Sequence, residues 1–426
     1  MEAMARQQAE AIRSAMTRRR RAEADLLASI CELAECYRVD TDELLAVLTE
    51  KRIRVGAEGT PLVSEFLSLE LAGLLECSPH AAGHRLIEAL NLKHRHPKLF
   101  AAVVELKVEA SRAVKAAARC SHLRPEVAEA VTLRWLPRQG ALGWTAAFNL
   151  LDKLIIEADR AAAQERERLA REDRGVHVWG LFDGCMNLTG RLDVLDARSL
   201  DVTATRVARL LEDRFPELTL QQRRAKALGI LANPAHALAL LQSGDQPTLP
   251  GDSEHHEAAR PRPAKVYRPE LGLAVHIHAD SVGGLAPAAR VDKAGWITSR
   301  LLGELLGEAK VTVHPVIDLA DLDPSDGYEP GAQLKRAVEI VMPTEMFPYS
   351  NRSSRRLDLD HTVPWREGYR AQTRLGNLVP LNRRAHRAKT ARAWKSLQRG
   401  PDVLVWESPL GYRYELTPCG TWPLRE

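Results

Sequence analysis

The stretch Arg356-Leu357-Asp358-Leu359-Asp360-His361 constrains the C-terminal part of this chain more tightly than any other. Leucines at 357 and 359 alternate with aspartates at 358 and 360, the period-two pattern of a strand with one apolar and one polar face. Pro364 soon stops it. A loop containing Gly368 and Gly376 follows, and then a short apolar run, Leu378-Val379-Pro380-Leu381, which reads as a second strand. Arg383 to Gln398 reads as a helix with Thr390, Trp394 and Leu397 on one face, closed by Gly400-Pro401. The order strand, loop, strand, helix puts Asp360 and His361 at the end of the first strand and His386 in the first turn of the helix.

These residues resemble the HNH endonuclease motif: Asp360-His361, then Asn377, then His386-Arg387-Ala388-Lys389-Thr390, with His361, Asn377 and His386 as the three letters. The resemblance implies a core of two short strands and a helix around a divalent metal, the ββα-metal fold, and a phosphodiester hydrolase acting on DNA. It implies catalytic roles for His361 and Asn377, with His361 as general base and Asn377 tying down the loop, and metal ligation by Asp360 and His386. The roles agree with the chemistry of the side chains. A neutral imidazole takes a proton near neutral pH, and a carboxylate is a hard ligand for Mg²⁺, the expected ion, with Mn²⁺, Ni²⁺ and Zn²⁺ as alternatives. Many such cores carry paired cysteines that hold a structural zinc. Here Ala385 precedes His386, Asn382 stands where a cysteine is common, and no C-x-x-C occurs, so no structural zinc is expected. Packing by Trp365, Trp394 and Trp406 would hold the core instead.

Charge placement supports a nucleic-acid partner. The whole chain carries a net charge of only +4, but residues 351–400 hold 13 arginines and lysines against three acids, so the remainder is slightly acidic. A basic segment on an acidic body is the footprint of a phosphate-backbone binder. Arg383, Arg384, Arg387 and Lys389, at or near the helix start, are the expected phosphate contacts.

The rest of the chain, 45% apolar over 426 residues, is long enough for two or three cored domains. Its leading residues Met1 to Gln8 lack the apolar centre of a signal peptide, and no run has the length of a membrane span. Six scattered cysteines suit reduced thiols, so a cytoplasmic protein without membrane contact is expected. Residues 5–50 read as helix, with Arg18 to Arg21 as a solvated face, and helical patterns run on from Leu62 to about Ala163. Ser78-Pro79 marks a helix start. Val176 to Leu192 reads as a hairpin turning at Asp183-Gly184. The leading helices, this hairpin and the helix at 220–228 resemble the domain of unknown function that precedes HNH cores in an actinobacterial repeat family.

The expected fold class is therefore α+β. A mostly helical N-terminal domain with one β-hairpin spans 1–243, a linker 244–263, and a small mixed region 264–342. The nuclease core with a terminal hairpin spans 343–426. The mixed region includes strands at 273–279 and 310–318 and a helix at 332–341. The row His276, His278, Asp280 reads as a polar strand face. A DNA-binding or regulatory protein with an inactive core, and a protein-interaction module with a basic face, are the competing readings. A homodimer is compatible with all three.

Overall fold

The computed structural model describes residues 2–39, 50–243, 275–276, 288–291, 295–306 and 322–424. The expected linker at 244–263, the strand at 310–318 and most of the strand at 273–279 lie outside the described residues. In chain order the elements begin with α1 (Glu2–Cys36), β1 (Arg52–Ile53), β2 (Val63–Ser64), α2 (Leu67–Leu74), α3 (Pro79–Arg95), α4 (Pro97–Val104) and α5 (Ala110–Arg119). Next come α6 (Pro125–Gln139), α7 (Trp144–Ala158), α8 (Arg160–Glu172), β3 (Gly175–Phe182), β4 (Cys185–Arg191), α9 (Val194–Leu210), α10 (Leu220–Leu231) and α11 (Pro234–Ser243). They continue with β5 (Val275–His276), β6 (Ala288–Val291), β7 (Gly295–Thr298), α12 (Ser299–Leu306) and α13 (Ala332–Val341). The last are β8 (Asp358–His361), β9 (Leu378–Leu381), α14 (Arg383–Thr390), β10 (Lys395–Gln398), β11 (Leu404–Glu407), β12 (Arg413–Thr417) and β13 (Gly420–Leu424). Helices dominate and the sheets are small and antiparallel, so the class is α+β. Among the described residues no helix is long and apolar enough to cross a membrane.

Local signals act as the sequence suggests. Ser78 caps α3 by accepting from the Ala81 N–H at 3.2 Å, with Pro79 in the first helical position. Asp183 and Gly184 both have positive φ, +50° and +78°, as a two-residue turn between β3 and β4 requires.

The chain divides into two compact units, Met1–Arg166 with Val313–Glu426, and Glu167–Thr312. This division differs from the expected boundary at 243, and the reason is a shared core. One core of the first unit joins α1 and α3 to α7 around Trp135, whose Nε1 donates to the Ala147 carbonyl at 2.7 Å. The other draws Phe66 and Leu69 of the α2 region in among Val338 of α13, Phe347, Leu378 and Leu381 of β9, Ala385 and Ala388 of α14, Trp394, Trp406 and Tyr414. The early helices thus complete the interior of the C-terminal segment. Gly73 of α2 has no side chain because a Cβ there would meet the Tyr414 hydroxyl at 2.2 Å. Of Arg18 to Arg21, the first two bond within their helix, to Ser14 and Glu23, while Arg20 reaches Glu109 and Arg21 the Val104 carbonyl.

The terminal strands correct one reading. The helix expected to reach Gln398 ends at Thr390. Arg392 adopts φ +53°, and the Trp394 N–H closes onto the Ala388 carbonyl. That turn swings Trp394 into the core against Phe347 and Trp406, at ring-centroid distances of 4.9 and 6.2 Å. Lys395 to Gln398 then form β10, the edge of a four-stranded sheet β10-β11-β12-β13 that includes the expected hairpin. Thr390 and Leu397, expected to share the helix's apolar face with Trp394, are exposed, Leu397 by 60%. Trp365 lies outside the core, half-buried beside Tyr328.

Candidate functional site

β8 and β9 pair with Asp358 opposite Leu381 and His361 opposite Leu378. β9 runs straight into α14, whose N-cap is Asn382. The Asn382 side-chain oxygen accepts from the N–H groups of Arg384 and Ala385 at 2.8 and 3.1 Å. Its own N–H donates at 2.7 Å to Glu345, a buried carboxylate that also accepts from Ser350. So hydrogen bonds anchor the start of α14. On α14 the small side chains of Ala385 and Ala388 face the interior, and His386 and Lys389, three apart, share a face turned to β8.

Two carboxylates grip His386. Its Nδ1 lies 3.0 Å from Asp358 Oδ2 and its Nε2 3.2 Å from Asp360 Oδ1. Hydrogen bonding to Asp360 and then to Asp358 outweighs burial and holds the imidazole above its usual pKa, favouring the cation. Burial alone would push the Asp360 carboxyl up, but His386 and Lys389 outweigh it and hold it below the usual carboxylate range. Lys389 Nζ is 2.7 Å from Asp360 Oδ2, close but poorly aligned, so this buried oxygen has an ion contact and no well-formed hydrogen bond. The same ammonium donates to the His361 carbonyl at 2.6 Å.

His361 is buried, and burial lowers its pKa, favouring the neutral ring. Its tautomer follows from Thr373. That hydroxyl donates to the Gly327 carbonyl at 2.6 Å and lies 2.8 Å from His361 Nε2. With its proton committed, Thr373 Oγ1 accepts from Nε2–H, which leaves the lone pair on Nδ1. Asn377 pins the intervening loop. Its side-chain oxygen accepts from the Thr362 hydroxyl and the Val363 N–H, and its amide donates to the carbonyls of Val363 and Gln372.

The expected phosphate contacts are largely engaged elsewhere. Lys389 points inward to Asp360. Arg384 donates to the Ser68 hydroxyl at 2.8 Å, and Arg387 pairs at 2.9 Å with Glu65, a buried carboxylate just before α2. These two arginines hold α14 onto the early helices. Arg383 is 76% exposed and 3.1 Å from Asp358 Oδ2, so of the four it is the one turned outward. A hollow of about 100 Å³, room for about three waters, is lined by Arg383, His386, Arg387 and Thr390. A larger hollow in the second unit, lined in part by Asp183, Thr298, Arg300 and Glu304, is far less suited to chemistry because it gathers no histidine or paired carboxylates.

Among the described residues no three His, Cys, Asp or Glu side chains converge as a metal-binding group. The donor types nevertheless suit a hard divalent ion held by two side chains and completed by water. Asp360 keeps an oxygen without a well-formed hydrogen bond, and His386 has one nitrogen beside Asp360 and the other oriented by Asp358. His386 and the Lys389 ammonium stand where that positive charge would go.

Sequence reading passed over Asp358, Thr373, Glu345 and Tyr328. Asp358 was within reach, because the period-two pattern puts it on the same strand face as Asp360. Thr373 and Glu345 lie in irregular segments that carry no periodic signal.

No family model matches the chain, and no solved structure matches it. Two uncharacterized proteins of Mycobacterium tuberculosis do. One is 31% identical over 301 residues and the other 29% over 312, each alignment covering 66% of this chain and 56% of the relative. The chain thus spans little more than half the length of these curated relatives, and their names state no activity.

Proposed function

We propose that the chain is a metal-dependent endonuclease of the HNH type that hydrolyses DNA phosphodiester bonds in the cytoplasm. The observation that carries this reading is the convergence of a buried His361 with the Asp360–His386 pair on one strand–strand–helix unit, its loop pinned by Asn377. In this reading Nδ1 of His361 takes the proton of the attacking water, and Nε2–H stays on Thr373. Asp360 and His386 would hold a divalent ion, Mg²⁺ first, with His386 neutral and still oriented by Asp358. That ion would supply charge neutralisation for the phosphate and the leaving oxygen. Arg383, which rims the small hollow, would steady the phosphate.

The test is nicking and linearisation of supercoiled plasmid under Mg²⁺, Mn²⁺ and Ni²⁺. His361→Ala should abolish cleavage with DNA binding intact. Asp360→Ala and His386→Ala should lose it in a way that high metal partly restores. If folded His361→Ala cuts at the wild-type rate, the general base is misassigned. A second reading, a DNA-binding or regulatory protein with an inactive core, is favoured by one observation. The carboxylates are already neutralised by His386 and Lys389. Shifted DNA bands with no cleavage under any of the three metals would select it.

A further inference from the structure

We propose that Tyr328 is a nucleobase-stacking platform beside His361, which takes an unpaired base of a single-stranded or locally opened nucleic acid. The proposal rests on the nucleic-acid reading above and adds the class of substrate. The loop from Ser325 to Glu329 is fastened to the loop that follows β8. Ser325 and Thr373 exchange backbone hydrogen bonds at 2.9 and 3.1 Å, and Asp326 accepts from the Ala371 N–H at 2.7 Å. Thr373 joins this loop to His361, since its hydroxyl contacts both the Gly327 carbonyl and the His361 ring. Tyr328 is the next residue. Its ring lies over His361 at a centroid distance of 5.3 Å, tilted by 33°, with Trp365 edge-on at 5.9 Å.

Despite these contacts Tyr328 is 59% exposed. The ring is thus held by its neighbours while the residue stays largely open to solvent. Tyr369 and Val363, on the loop after β8, are exposed by 63% and 68%. Arg366, Arg370 and Arg374 on that loop are exposed, and none of them pairs with a carboxylate among the described residues. A fixed, exposed aromatic ring with exposed guanidinium groups on the loop fastened beside it is the composition of a single-strand site, where rings stack on bases and cations track the backbone. The charged side chains of both loops, Asp326 and Glu329 as well as Arg366, Arg370 and Arg374, disfavour an apolar protein segment as the occupant. A paired base is stacked on both sides already, so this ring can gain only one that has left the helix.

The experiment uses the full chain in EDTA, where cleavage is off, with labelled oligonucleotides of about 12 nucleotides. The probes are single-stranded DNA and RNA of one sequence, each with a central 2-aminopurine, and the matching duplex. Tyr328→Leu, which keeps bulk and loses the ring, should weaken single-strand binding about tenfold and duplex binding less than about twofold, and should abolish 2-aminopurine quenching. Tyr328→Phe should bind as wild type does. Arg370→Ala should flatten the salt slope while quenching persists. The DNA and RNA arms identify which strand the site prefers. As a check that needs no variant, photo-crosslinking of a 5-iodouracil oligonucleotide to the wild-type protein should label the peptide carrying Tyr328. Unchanged single-strand affinity and quenching in Tyr328→Leu, or a crosslink elsewhere, overturns the platform and leaves the endonuclease reading standing if duplex is bound or cut. If wild type binds no nucleic acid in any arm, both fall.

Discussion

Replacing Glu70 by glutamine should remove a pH dependence that this fold builds into its interior. Glu70 lies on α2 with no exposed surface. Its two oxygens accept from the Ser408 hydroxyl at 2.8 Å and the Tyr37 hydroxyl at 3.3 Å, so it joins α2 to the loop after β11 and to the residue following α1. Among the described residues no cation contacts it. Burial therefore dominates and pushes the carboxyl up to about 7, the two hydroxyls only partly opposing the shift. A carboxyl whose folded pKa exceeds its unfolded value binds its proton more tightly in the native state. Its contribution is thus complete below about pH 4 and is lost as pH rises through about 7. A rise of roughly two and a half units at about 1.4 kcal/mol each makes the loss about 3 kcal/mol. Other groups titrate in the same window: His386 is raised and has the same sign, while His96 is pushed down to about 4 and has the opposite one. The informative quantity is therefore the difference between wild type and Glu70→Gln. Denaturant melts from about pH 4 to about pH 8.5 should show the glutamine variant gaining about 3 kcal/mol relative to wild type as pH rises. A difference flat to within about 0.5 kcal/mol would mean that the carboxylate is not desolvated, and the reasoning would fail.

Three further outcomes follow from the site. Arg387→Ala should cost about 2 kcal/mol of stability by taking the cation from buried Glu65, which keeps only the Lys51 N–H, and the loss should shrink in a Glu65→Gln background; equal melting of Arg387→Ala and wild type would refute the tie between α14 and the early helices. Arg383→Ala should leave the melting temperature unchanged and lower the salt slope of DNA binding by about one, whereas a change in sequence preference at unaltered slope would count against a phosphate role. The purified protein should carry no stoichiometric zinc and should melt within about 2 °C with or without EDTA, because an ion held by two side chains binds weakly; one zinc per chain that resists chelation would contradict this.

What could be read in advance, and what could not, separates along the faces of one short helix. The period-two strand, the Ser78 cap, the Asp183-Gly184 turn and α13 were legible because each rests on neighbours within a few residues. The position of α14 was legible for the same reason. Its end was not, since no glycine or proline precedes Gly400; the stop is made by Arg392 turning left-handed so that Trp394 can enter the core. The fate of its cations was half legible. Lys389 stands three residues after His386, so helical spacing alone puts the two on one face, and an ammonium beside two aspartates turns inward. Arg384 and Arg387 also stand three apart, but they face Ser68 and Glu65, more than 300 residues earlier in the chain. No local pattern encodes that meeting. A count of positive charge therefore reported how basic the segment is without saying which charges fold already uses. Of the helix's cations, Arg383, paired only with Asp358, is the one left facing outward without a structural tie to the early helices, and exposed arginines on the loop after β8 add further charge. The surface open to a phosphate backbone is accordingly displaced from the helix start toward that loop and Tyr328.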